Sequence, residues 1–148
     1  HMRMHTAQHL ISGAAYELFD GARTVGNQIH RSRSRIDFKP IKFEDNMIDE
    51  LVHSVNSMTD SGLPVSALTM TREEIDTLMP RERTNMDLLP SHIDELRVIR
   101  IGKDFDLCPC AGTHVRDISE IGEVEFLSKK SKGKGTQRFS YTLCGLKE

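Results

Sequence analysis

Apolar and polar positions along this chain follow two rhythms, and the changes between them mark its elements. From His5 to Phe19, in HTAQHLISGAAYELF, Leu10, Ala14 and Leu18 lie near Ala7 and Ile11 at helical spacing. That predicts a helix, which Asp20-Gly21 ends. Thr24–His30 and Arg33–Phe38 read as two short strands around the polar turn Arg31-Ser32, with Ile36 and Phe38 alternating with Asp37. Helical spacing returns from about Glu44 to Met58, where Met47, Ile48, Leu51, Val52 and Val55 form an apolar stripe.

Ser61-Gly62-Leu63-Pro64 breaks that helix, and Val65–Met70 reads as a strand. Thr71 with Glu74 makes a capping-box start for a short helix through Met79, stopped by Pro80. Arg81 to Ser91 is expected to be an irregular loop. Leu96–Ile101 is a predicted strand, followed by KDFDLCPCAGTH as a loop. Gly122–Leu127 and Thr136–Leu143 then bracket the loop SKKSKGKG as two further strands. With no internal repeat or Ser- or Pro-rich linker, one α+β domain with a mainly antiparallel sheet packed with helices is the expected assembly.

Composition changes this picture little. At 148 residues, with 37% hydrophobic and 28% charged, the chain is ordinary globular material that fits one domain. No apolar run approaches membrane-span length and no secretory signal stands out. The formal net charge of −2 means that a nucleic-acid partner must be met by a local basic patch. An odd count of 3 cysteines without an export signal argues for reduced cytoplasmic thiols, open to metal binding or catalysis. His1-Met2 reads as what remains of an expression tag, so a domain over 3–148 is expected, with a longer parent protein and a further amino-terminal segment as the accompanying hypothesis.

His5 and His9 stand four apart on the first predicted helix, so both imidazoles leave one face and can reach one ion at about 2.0–2.1 Å. Cys110 and His114, also four apart, lie in a glycine-containing loop about a hundred residues later. His, His, Cys and His make an N₃S set that suits Zn²⁺ better than magnesium or calcium. Either pair alone arises readily by chance; His1 also precedes His5 by four. Cys108 competes with Cys110 as the thiolate, but the spacing to His114 favours Cys110 and leaves Cys108 a core or supporting thiol. Cys144 is expected to be buried packing, and His30, His53 and His92 to be surface or structural.

Several segments resemble one family. MRMHTAQHLISGA is similar to the HTATHLL helix of alanyl-tRNA synthetase editing domains and of freestanding AlaX-type proteins. SRSRIDF resembles that family's strand ending in Asp-Phe, CAGTHVRDISEIGEVEF its CGGTHV…TGEIG segment, and KGKGTQRFSYTLCG its closing strand. The blocks keep the family's order over nearly the whole chain. Threonyl-tRNA synthetase editing domains share the HxxxH and CxxxH elements, so SEIGEVEF and GTQRFSYTL carry the distinction. Ala111 replaces the usual first glycine of the CGGTH loop, and Ser119 stands where the family often has Thr-Gly.

The resemblance implies a zinc site of His5, His9, Cys110 and His114 and hydrolysis of serine or glycine wrongly esterified to alanine tRNA. It places Thr24 at a position that faces the misattached amino acid, where a hydroxyl could bond serine. Gln28 is a weaker candidate for the pocket wall. Zinc would activate water or polarise the carbonyl, and backbone N–H groups at Gly112 and Thr113 would support an oxyanion. No general base stands out; Glu17 and Asp20 are open choices.

Two basic stretches offset the acidic net charge. Lys129, Lys130, Lys132, Lys134 and Arg138 are expected in or beside the glycine-containing loop. Arg23, Arg31, Arg33, Arg35, Lys39 and Lys42 form the second, near the expected pocket. Such residues contact phosphates and contribute affinity rather than sequence choice. Two rival readings remain open: editing of serine on threonine tRNA, and a zinc-stabilised RNA-binding module without catalysis.

Overall fold

A computed structural model describes residues 2–79, 84, 92–103 and 105–144. Helix α1 (Met2–Leu18) leads into the hairpin β1 (Arg23–Ile29) and β2 (Ser34–Lys39), then helix α2 (Asp45–Ser61). Strand β3 (Val65–Thr71), helix α3 (Arg72–Leu78), and strands β4 (Glu95–Ile101) and β5 (Asp106–Pro109) follow. A 3-10 turn (Ile118–Ile121) precedes the hairpin β6 (Val124–Ser131) and β7 (Gln137–Leu143). The class is α+β, as expected.

The strands divide between two antiparallel sheets, one of four strands in the order β1-β2-β7-β6 and one of three, β3-β4-β5. Period-2 alternation builds the larger sheet: Ile36 and Phe38 of β2 and Phe139, Tyr141 and Leu143 of β7 all point inward and are buried. They meet Met4, Ala7, Leu10, Ile11 and Ala14 of α1 and Ile48, Leu51 and Val55 of α2 in one core. A smaller cluster of Ile75, Met79, Val98 and Leu107 closes the second sheet under α3. Thr71 and Glu74 form the expected capping box.

Helix α1 is therefore buried on most sides, and its anchors are polar as well as apolar. The Tyr141 hydroxyl donates to the Met4 carbonyl at 3.2 Å, and Arg3 donates to the carbonyls of Glu120 and Ile121 at 3.0 and 2.8 Å. Met2, set aside in the sequence reading as tag, opens this helix. Its far end turns sharply, with Asp20 and Gly21 both at positive φ (51° and 78°).

Three expectations need correction. The segment after β4 is not all loop: Asp106–Pro109 pairs with β4 as an edge strand, too short and too cysteine- and proline-bearing to show a strand pattern. Strand β6 runs on to Ser131, so Lys129 and Lys130 belong to a strand rather than to the loop. Cys144 is exposed, one residue past β7, with its thiol 3.5 Å from Glu125 Oε2; the inward alternation of β7 ends at Leu143. The predicted loop at Arg81 to Ser91 lies, apart from Thr84, outside the described residues.

Candidate metal centre

Helix α1 presents His5 and His9 on one face, and the loop after β5 carries Cys110 and His114 to them. The four candidate ligand atoms all lie within 4.8 Å of one another. Cys110 Sγ stands 3.4 Å from His5 Nε2 and 3.5 Å from His114 Nε2. Nitrogen and sulfur ligands around one tetrahedral ion at about 2.0–2.3 Å sit about 3.6 Å apart, so these separations fit a shared ion. The donor set fits a borderline-soft metal.

The contacts behind the ligands orient their lone pairs. Thr6 Oγ1 donates to the Met2 carbonyl at 3.0 Å, which spends its one hydrogen. It therefore accepts from His114 Nδ1 at 3.0 Å, as it does from the Val115 N–H at 3.1 Å. His114 thus carries a proton on Nδ1, which leaves Nε2, the nitrogen turned toward the cluster, as the one to meet an ion. On His9, Nδ1 points at Asp106 Oδ2, 3.4 Å away, leaving Nε2 for an ion in the carboxylate–histidine–metal manner. Asp106 and Thr6 carry no signal in the sequence pattern. Strand β5 brings Asp106 beside α1.

Protonation follows from this packing. Burial opposes ionisation of Cys110, but the imidazoles of His114, His5 and His9 and the Gly112 N–H outweigh it and draw its pKa down to about 3. Burial alone would lower His9, yet Asp106, Cys108 and Cys110 raise it well above its ordinary value. Burial lowers His114 against the pull of Cys110. Burial raises the Cys108 thiol. Cys110 is thus the ionised sulfur and Cys108 the neutral one beside it.

Gly112 is dictated by close approach: a Cβ there would run into the His5 ring. Ala111, by contrast, is exposed at the loop surface. Arg97 of β4 clamps this loop from below, its guanidinium donating to the carbonyls of Cys110 and Gly112 at 2.9 Å each. The Gly112 N–H points at Cys110 Sγ, 3.4 Å away, and is therefore committed to sulfur rather than open to an oxyanion. Thr113 is exposed at the loop surface.

One turn along α1 from His9 lies a polar cluster. Thr24 Oγ1 donates to Ser12 Oγ at 2.7 Å, and Gln8 Nε2 donates to the same oxygen at 2.9 Å. Thr24 faces α1, but Gln28 does not. A bulge at Val25 shifts the β1–β2 register between Thr24 and Gly26, so the two residues, four apart, lie on opposite faces. Gln28 pairs with Arg35 and is exposed on the outer face, which removes it from the pocket wall. Glu17 and Asp20 are exposed at the far end of α1; at a rise of about 1.5 Å per residue, Glu17 sits roughly 12 Å from His9, out of reach as a general base.

Among the basic residues, Arg31 and Arg33 are exposed on the β1–β2 turn, and Lys130, Lys132 and Lys134 are exposed around the β6–β7 turn. Lys129 Nζ bonds the Phe43 carbonyl at 2.9 Å and lies 3.5 Å from Asp45. Arg138 is clasped by both oxygens of Asp37 at 2.8 and 3.2 Å. Lys39 and Lys42 are exposed, while Arg23 and Arg35 are half-buried. His30, His53 and His92 are exposed, as expected.

Comparison with known proteins defines the class first. Residues 96–140, which hold Arg97, Asp106, Cys110, Gly112 and His114, match the threonyl and alanyl tRNA synthetase second additional domain. Across nearly its whole length the chain is, further, similar to alanyl-tRNA editing proteins. It is 32% identical over 143 residues to AlaX-M of Methanosarcina barkeri, covering 97% of this chain and 58% of that protein. To AlaX-L of Pyrococcus horikoshii it is 33% identical over 149 residues, covering 97% of this chain and 34% of that one. To Aarsd1 of Bos taurus the identity is 30% over 145 residues, 98% of this chain and 31% of that one. The chain thus spans about three-fifths of the AlaX-M protein's length and about a third of the other two. Among the described residues, no helix is long and apolar enough to cross a membrane.

Proposed function

We propose that this chain hydrolyses the ester joining a wrong amino acid, serine or glycine, to alanine tRNA, with zinc held by His5, His9, Cys110 and His114. The convergence of three imidazoles and one low-pKa thiolate carries this reading, and the names of the similar proteins favour the alanyl over the threonyl substrate. When bound, zinc supplies Lewis acidity for the ester carbonyl. Thr6 and Asp106 hold the ligand rings in place. The Thr24–Ser12 hydroxyl pair, one helical turn from His9, offers the partner that a seryl hydroxyl needs. Alanine brings no hydroxyl to join this part-buried hydroxyl network, so it would gain none of the contact that serine makes, which is how a second site rejects a substrate the synthetic site cannot exclude. Thr113, whose amide has no partner among the described residues, is the loop N–H open to an oxyanion. The exposed Arg31, Arg33, Lys130, Lys132 and Lys134 are set to meet tRNA phosphates in the cytoplasm, where the thiols stay reduced.

The test is deacylation by zinc-loaded protein of Ser-tRNA(Ala), Gly-tRNA(Ala), Ala-tRNA(Ala) and Ser-tRNA(Thr) in parallel. Loss of serine or glycine from alanine tRNA with alanine spared is the expected result. Preferential attack on Ser-tRNA(Thr) would transfer the assignment to threonyl editing. Rates no faster than buffer for all four would leave a zinc-stabilised RNA-binding module.

A further inference from the structure

The outer face of the four-stranded sheet, turned away from α1, carries an unusual row. Cross-strand pairing sets Arg35 of β2 beside Ser140 of β7, and Ser140 beside Ser128 of β6. The neighbouring row sets Asp37, Arg138 and Lys130 side by side. Together with Arg33 and His30 at the hairpin end, Arg35, Arg138, Ser128 and Ser140 line an open cavity of about 250 Å³. The fork of Asp37 fixes the Arg138 guanidinium, whereas the side chains of Arg33 and Arg35 have no bonding partner among the described residues. Three guanidinium groups around hydroxyl donors, with one carboxylate answering only one of them, form a hollow suited to a tetrahedral oxoanion.

We propose that this cavity is a phosphate site that grips the sugar–phosphate backbone of the tRNA, an inference resting on the tRNA substrate proposed above. Charge complementarity selects the occupant: on a chain of net charge −2, unanswered guanidinium groups are concentrated here. The cavity lies across the sheet from the metal centre, so it holds the tRNA body in register while the aminoacyl end reaches the zinc ligands. Lys130, beside Arg138 in the outer row, extends the basic surface along the same line.

The test uses the full zinc-loaded chain and uncharged alanine tRNA, so that binding is read apart from hydrolysis, at 50 to 200 mM salt. Arg35→Ala and the double change Arg33→Ala/Arg35→Ala are compared with Lys103→Ala, on the β4–β5 turn of the other sheet, and thermal melting verifies each fold. The double variant should lose about tenfold in affinity at low salt, and its log–log salt slope should shrink by about one to two, the size expected for one or two lost phosphate contacts. Arg35→Lys keeps a point charge but not the fork, so it should weaken binding while retaining most of the slope. Unchanged affinity and slope in the double variant, or an equal loss in Lys103→Ala, overturns the phosphate site and leaves the tRNA reading standing. A wild-type chain that shows no salt-dependent tRNA binding overturns both.

Discussion

Asp106 Oδ2 lies 3.4 Å from His9 Nδ1, and both side chains are almost wholly closed off from solvent. A buried carboxylate against a ligand's far nitrogen fixes which nitrogen faces the ion and raises the basicity of that ring. Replacing Asp106 by Asn keeps the shape and removes the charge. Zinc affinity should fall about 10–100-fold, measured by competition with a chelator of known affinity, with secondary structure unchanged by circular dichroism. An Asn variant that binds zinc as tightly as the parent would show that the ring is oriented by packing alone.

The same pair sets the pH dependence of loading. Without metal, Asp106, Cys108 and Cys110 outweigh burial and raise His9 well above its ordinary value, whereas Cys110, at about 3, is already ionised. A metal must displace the His9 proton but none from Cys110. A raised group favours the protonated, metal-free form at low pH and releases that advantage as pH rises through its folded value. Apparent affinity should therefore climb with pH, by about tenfold per unit below the His9 pKa, and level off above it. Titration calorimetry below the His9 pKa in buffers of different ionisation enthalpy should count about one proton released from His9 and Cys110 together. Two protons would mean that Cys110 is a thiol before binding.

Gly112→Ala should be far more damaging than its single added carbon suggests, because that carbon would run into the His5 ring. The expected loss in zinc affinity is about tenfold or more, whereas Ala111→Gly, at an exposed position one residue earlier, should leave zinc content at the parent level. Metal analysis of the two purified variants decides the matter. Similar zinc content in both would place the loop farther from α1 than the structure has it.

Thr24→Val is close to isosteric and deletes the hydroxyl that bonds Ser12. Discrimination between Ser-tRNA(Ala) and Ala-tRNA(Ala) should shrink by about 1.4–2.8 kcal/mol, roughly ten- to a hundredfold in the ratio of kcat/KM. A fall in both rates with the ratio intact would mark Thr24 as structural.

The helices, both hairpins and the two ligand pairs were legible in the sequence, because periodic burial and four-residue spacing are local properties. What escaped was non-local. Asp106 and Arg97 matter through β5 and β4, and β5 is an edge strand of four residues with no alternation long enough to register. The Val25 bulge in β1 is invisible to a strict period of two, and it puts Thr24 and Gln28 on opposite faces. The commitment of the Gly112 amide to Cys110 sulfur depends on loop geometry that no spacing encodes.

The Thr6 hydroxyl joins the Met2 carbonyl, His114 and the Val115 amide, positions more than a hundred residues apart in the chain. During synthesis His5 and His9 leave the ribosome long before Cys110 and His114 do. A growing chain therefore has two of the four candidate ligands and no partner loop for Thr6, so the centre stays incomplete until the distal loop emerges. A half-made molecule therefore holds at most half of the candidate metal centre.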